Sequence, residues 1–152
     1  MMKMMGKVRA GLSGEIPEGI ALLFTRVALA GIFWRSARTK VEDGSLLTIR
    51  DTIFFQFSDA PFNQVPVLNG ELGAYATTYT EHFLAILLVL GLATRFGALG
   101  ILGMTLVIQI FVFPEMAVWW QTHILWVAMA LILIVRGGGL FSLDRLIGHR
   151  LG

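Results

Sequence analysis

Cysteine is absent from all 152 residues, so the chain can form no disulfide, present no thiolate nucleophile and supply no cysteine ligand to zinc or an iron–sulfur cluster. Any thiol chemistry must come from a substrate or a partner. Charge is scarce as well: 14% of the residues are Asp, Glu, Lys or Arg, against roughly 25% in soluble domains. Twelve basic and ten acidic residues leave a net charge of +2, too small a surplus to argue for a nucleic-acid partner once membrane flanks take their share. There is no internal repeat, no low-complexity tract, and no His-x-x-x-His or His-Glu-x-x-His pair to set two metal ligands on one helix.

What the chain has is apolar side chain, 56% of its residues, with a mean hydropathy of +0.74. A soluble domain this small could not hide that much, so the bilayer becomes the default solvent. The pattern predicts an all-α integral membrane four-helix bundle. Apolar stretches fall at 19–34, 83–94, 96–113 and 116–135. The last two can cross a core of about 30 Å, while the first two need extension, the second from a start signal at Pro66 and Asn69. Helices are expected at about 19–40, 71–94, 96–113 and 116–135 within a membrane domain 19–147, between an N-terminal segment 1–18 and a tail 148–152. The basic stretch 1–9, followed by Glu15, Pro17 and Glu18 with no small-residue cleavage site after the first apolar run, reads as an uncleaved anchor.

Basic residues fix the expected orientation. Lys3, Lys7, Arg9, Arg95, Arg136, Arg145 and Arg150 lie on one side, against Arg35, Arg38, Lys40 and Arg50 on the other, so both termini should be cytoplasmic. The group at the outer end of the first helix runs against the rule and needs another reason. It could meet lipid phosphate, an anionic substrate or a partner's acidic surface. An outer segment of about thirty residues follows, long for a compact bundle. Its middle, 46–57, mixes Leu46, Leu47, Ile49, Ile53, Phe54, Phe55 and Phe57 with Arg50, Asp51 and Gln56, which suits an amphipathic interfacial or re-entrant piece. Gly97, Gly100 and Gly103 give the third helix small faces for close packing.

Polar groups inside membrane helices are costly, so their depths matter. Counted from the inner ends at 1.5 Å per residue, His82 and His123 lie about 18 Å deep, Gln109 about 20 Å and Trp34 about 21 Å. All four helices thus place a polar or amphipathic group at one outer level. His82 shares a face with Thr78 and Tyr75, His123 is bracketed by Trp119, Trp120 and Trp126, and Thr105 sits one turn from Gln109. Glu81 points about 100° away from His82 yet could reach Arg35, Arg38 or Lys40. Taken singly, the tryptophans fit an interfacial belt and each histidine fits a packing role. Arg26 suits a structural role, snorkelling or pairing with Asp144.

Together these side chains outline an outward-facing ligand pocket of His82, His123, Gln109, Trp34, Trp119, Trp126, Arg35, Arg38 and Lys40, with apolar aromatic walls and a few converging polar groups. Two imidazoles could hydrogen-bond a quinone whose ring stacks on tryptophan. The alternative use of His82, His123 and Glu81 is a transition metal, or a haem, held wholly by interhelical geometry.

The chain resembles the DoxX family of small four-helix bacterial membrane proteins, related to the DoxD-type small subunit of thiosulfate:quinone oxidoreductase. The resemblance covers about residues 20–147. It rests on Arg26 with Gly31 and the run Trp34-Arg35-Ser36-Ala37-Arg38-Thr39-Lys40, on Glu81-His82 leading into Leu90-Gly91-Leu92-Ala93-Thr94-Arg95, and on Arg136-Gly137-Gly138-Gly139-Leu140-Phe141-Ser142-Leu143-Asp144. The family often has Gly-Pro-Gly where this chain has Gly137-Gly138-Gly139, a departure that loosens the turn. The resemblance implies a bacterial inner-membrane protein with redox or sulfur-linked associations, and brings no defined catalytic set. Ser142 reads locally as the cap of a short helix over 143–151, with Asp144 in its first turn and Arg150 near its end.

The expected function is that of an accessory or electron-transfer-linked subunit of a membrane oxidoreductase system that binds quinone. The alternative is a non-enzymatic subunit that anchors a larger complex, through the Arg35/Arg38/Lys40 cluster, with other subunits or further copies of itself. No broken helix or inverted repeat points to a transporter.

Overall fold

The computed structural model describes residues 14–148. Helix α1 runs Glu15–Lys40, the short α2 Asp51–Ser58, α3 Gly70–Leu90, α4 Thr94–Val112, α5 Met116–Arg136 and the single turn α6 Leu143–Leu146. Among the described residues there is no strand, and one antiparallel bridge joins Val41 to Ile49. Lys3, Lys7, Arg9 and Arg150 lie outside the described residues.

Three helices, α1, α4 and α5, are long and apolar enough to cross a membrane. Helix α3 falls short on composition because the stretch 71–82 carries Glu71, Thr77, Thr78, Thr80, Glu81 and His82. It also ends at Leu90, four residues before the expected end at 94. Gly91 at φ 66° and Ala93 at φ 46° are left-handed and break the run. Large side chains cover the outside of the helices: Phe24 is 71% exposed and Val135 70%. Such a surface belongs against lipid.

Where lipid removes the hydrophobic drive, helices join by close packing of small residues. Ala30, Ala37, Ala74, Ala85, Ala98 and Ala130 are wholly buried. Leu88 packs on Gly97 and Leu84 on Gly100, where a Cβ would stand 2.8 Å from Leu84 Cδ1. Gly103 meets nothing, so two of the three small faces on α4 serve packing. The core they build holds Leu22, Leu29, Phe33, Leu84, Leu88, Ile101 and Leu133.

A polar knot ties the end where the described chain begins and finishes, here the terminal end. The α3 C-terminus closes with Leu92 N–H on Leu87 O and Gly91 N–H on Leu88 O. Arg26, wholly buried, donates from Nη1 to Leu88 O (2.9 Å) and Val89 O (3.2 Å), and from Nη2 to Phe141 O (2.6 Å). Asp144 receives the backbone N–H groups of Ala93 (2.7 Å) and Thr94 (2.9 Å) and the Thr94 hydroxyl (2.8 Å). Cation at a helix C-terminus and carboxylate at the next N-terminus both agree with the helix dipoles. Arg26 thus does not snorkel and makes no direct ion pair with Asp144; its hydrogen bonds go to backbone carbonyls. Ser142 does cap α6, accepting from Arg145 N–H at 3.2 Å, but the helix stops at Leu146 instead of running to 151, with Gly148 already left-handed.

The knot leaves no room at Gly91, where an added Cβ would stand 2.6 Å from Ser142 Cβ and 2.9 Å from Arg26 Cζ. With the left-handed backbone included, Gly91→Ala is expected to lose about 2 kcal/mol. A detergent-unfolding midpoint measured on the purified variant checks this, and an unchanged midpoint would remove the steric account.

At the opposite end, residues 41–69 fold back over the helices as a roof. Ser45 Oγ accepts from the Leu47 and Thr48 N–H groups, and Arg50 N–H bonds Lys40 O at 3.0 Å. Helix α2 buries Ile53 and Phe57 in a second small core with Val41, Ile49 and Ala74, while Phe55 remains 72% exposed.

Candidate functional site

Beneath the roof lies a cavity of about 420 Å³, a size suited to a small organic ligand. All four long helices and α2 reach it. Its apolar wall includes Phe33, Ile53, Phe57, Phe62, Val112 and Trp126, and its polar groups are Ser36, Thr39, Lys40, Gln56, Thr77, Thr80, Glu81 and His123.

Two polar systems are built into this wall. Lys40 Nζ meets Glu81 Oε2 at 2.7 Å, with side-chain exposures of 11% and 2%. The same ammonium donates to Ser36 Oγ (2.8 Å) and Ser36 O (3.1 Å), and the Ser36 hydroxyl donates to Glu81 Oε1 at 3.0 Å. All three lysine donors are therefore used. The second system joins α4 and α5: His123 Nδ1 lies 2.7 Å from Gln109 Oε1, and since an amide oxygen only accepts, the ring nitrogen is the donor. Gln109 lies in a π-helical stretch, Ile108–Val112, and His123 ends another, Trp119–His123. Such stretches recur at functional sites, because the extra residue per turn re-aims side chains that a regular helix would point elsewhere. Trp126 stands 4.8 Å from the His123 ring and 5.6 Å from Phe33.

The expected site is thus divided. His123, Gln109 and Trp126 come together, and Lys40 joins the same cavity. His82 does not line it; its Nδ1 bonds Thr78 O at 2.9 Å and its ring meets Trp34 edge-on at 5.2 Å. Trp34 instead borders an apolar outer groove with Val27, Ala30, Gly31, Ala85 and Ile86. Glu81, the neighbour of His82, takes the place expected of the histidine, because the face of α3 that meets Ser36 and Lys40 carries residue 81. Trp119 and Trp120 stay outside the cavity, Trp120 with 64% exposure.

The basic cluster is dispersed. Lys40 belongs to Glu81, Arg38 donates to Ser45 O within the roof, and Arg35 alone points outward. Arg50 is held by Asp43 at 2.8 Å.

Among the described residues no three His, Asp or Glu side chains gather as a metal-holding group. The set His82, His123 and Glu81 fails because Glu81 is saturated by Lys40 and Ser36, and His82 faces Trp34. A haem held by both imidazoles does not fit either, since the two do not share a cavity.

A second, open hollow of about 540 Å³ at the terminal end is lined by Glu15, Glu18, Arg136 and Arg145. Its charges pair with one another, Glu18 with Arg136 and Glu15 with Arg145.

The model of one family, described as DoxX, matches residues 21–114, more than half of the 152 residues. No curated protein matches the chain and no solved structure does.

Proposed function

The chain belongs to the DoxX family and, with several helices built for a bilayer, is a multi-pass membrane protein; from that premise we propose that it is a transmembrane four-helix bundle that binds a quinone or related small ligand beneath its roof. In this reading it is an accessory or electron-transfer-linked subunit of an oxidoreductase system. The observation that carries the reading is the aromatic-walled, partly open cavity with His123 fixed by Gln109. A planar ring finds Trp126 and Phe33 to pack against, and the polar groups are few and held in place. With no cysteine in the chain, electrons pass between the bound ring and a partner subunit.

Helix α3 is the fourth span. Its polar residues Thr77, Thr80 and Glu81 turn into the cavity instead of toward lipid, which is where polar side chains in a membrane helix are tolerated. Both termini are cytoplasmic, in a bacterial inner membrane. Arg95, Arg136 and Arg145 flank the terminal end, and Lys3, Lys7, Arg9 and Arg150 add to that side in the sequence. At the roof end Lys40 and Arg50 are taken up by Glu81 and Asp43, which supplies the reason those cations oppose the rule.

Ala76 lines the cavity from α3 and belongs to neither polar system, so Ala76→Trp reduces the space for a ligand while keeping both sets of polar side chains. Solvent extraction of the purified protein followed by mass spectrometry is expected to give close to one bound quinone per chain, falling about tenfold in Ala76→Trp, the equivalent of about 1.4 kcal/mol. Quinone at the level of protein-free micelles, or retention unaffected by the tryptophan, would overturn the reading.

A further inference from the structure

We propose that the cavity selects the neutral, hydroxyl-bearing form of an aromatic ring, a hydroquinone or phenol, which donates a hydrogen bond to Nε2 of His123. The inference rests on the reading above and adds the redox state and charge of the ligand.

Among the described residues, no free cation faces the ligand. Every N–H of Lys40 is occupied by Ser36 or Glu81, and both Glu81 oxygens are bonded in return. The pair is closed and neutral as a unit. An anionic ligand entering the cavity would lose its hydration with no charge to replace it, and a carbonyl would find no ammonium donor.

Because Nδ1 gives its hydrogen to Gln109 Oε1, the neutral ring carries a lone pair on Nε2. His123 lines the cavity wall, so the nitrogen left open is an acceptor. A quinone carbonyl is also an acceptor and meets it lone pair to lone pair; a hydroquinone hydroxyl donates to it. The hydroxyls of Thr77 and Thr80 and the amide of Gln56 can donate or accept and so serve either form, which leaves His123 as the group that distinguishes them. A site that hydrogen-bonds a ligand hydroxyl penalises the analogue lacking it, because its own polar atom is left unpaired.

Full-length protein in lipid nanodiscs, equilibrated by dialysis under argon against tetramethylhydroquinone, tetramethylquinone, the hydroquinone's dimethyl ether and 2,5-dihydroxybenzoate, tests this with empty nanodiscs as reference. The hydroquinone is expected to bind about tenfold tighter than the quinone or the ether, and at least about tenfold tighter than the dihydroxybenzoate anion. His123→Leu should remove the preference for the hydroquinone over the quinone. The wild-type series decides the question even if that variant misfolds. Equal affinity for quinone and hydroquinone, or a preference that survives in a folded His123→Leu protein, overturns the inference while leaving quinone binding intact. Binding of neither overturns the inference and the reading beneath it together. Equal binding of the anion overturns the claim of neutrality.

Discussion

Replacing Asp144 by alanine is expected to lower stability by about 4 kcal/mol. The carboxylate is 4% exposed and accepts three hydrogen bonds at the start of α4. Bonds to a charged group contribute about 1.5–3 kcal/mol each, and the Ala93 and Thr94 N–H groups would be left without partners beside a buried Arg26. Three charge-assisted bonds do not add in full, since the loosened turn admits water. Asp144→Asn keeps the shape and one carbonyl oxygen, so it should retain about half of the difference. Reversible unfolding of the purified proteins in mixed detergent micelles gives both values. A loss under about 1 kcal/mol for Asp144→Ala would mean that the α3–α4 turn holds without its carboxylate.

Arg26 and the run 90–95 of that knot lie within the residues the family model matches, and the run 136–144 lies beyond them. Arg26, the run 90–95 and the run 136–144 are far apart in sequence, and they meet where α3 ends and α4 begins. Glu81 lies about 15 Å along α3 from Gly91, so these residues hold the helices while the cavity forms at the other end. Fold and site are thus written in different residues, which is why a family match over 21–114 speaks more clearly about architecture than about ligand.

Depth along each helix was readable from the chain; direction around it was only partly so. Counting 1.5 Å per residue places Gln109 and His123 at one level, and they do bond. The same count sets His82 and Trp34 together, and they also touch. What the count lacks is phase. The π-helical stretches at Ile108–Val112 and Trp119–His123 each rotate the side chains that follow, and no local composition signals them, because residues such as Ile110 and Trp120 are equally at home in an α-helix facing lipid. On α3, 100° separates Glu81 from His82, and which of the two meets the cavity is settled by the packing of α1. A signal did exist: a buried glutamate needs a cation, and Lys40 was within reach of it. That residues 41–69 cover the helices is not legible in the sequence, since the burial of Phe57 depends on Gly73 in α3, where a Cβ would stand 2.9 Å from Phe57 Cδ1.

The Lys40–Glu81 pair gives the second large expectation. Glu81→Leu alone should cost about 3–5 kcal/mol, as should Lys40→Met alone, because each leaves a charge buried without its partner. The double variant Lys40→Met/Glu81→Leu should lie within about 1 kcal/mol of the wild type, since apolar side chains of similar volume often replace a buried pair without loss. The resulting coupling of at least about 5 kcal/mol is read from a double-mutant cycle of unfolding in detergent. A coupling near zero would mean that the pair is solvated and that the cavity wall carries free charge. Ligand binding separates the same cases. In the double variant the wall stays neutral, so tetramethylhydroquinone should bind within about threefold of the wild type, a fraction of 1.4 kcal/mol. In Glu81→Leu the freed Lys40 ammonium faces the cavity, and affinity for 2,5-dihydroxybenzoate should rise about tenfold or more, since specificity here is set by which charge is left unpaired. A closed ion pair is thus what makes a polar wall selective for an uncharged ring, and opening it from one side should invert that choice.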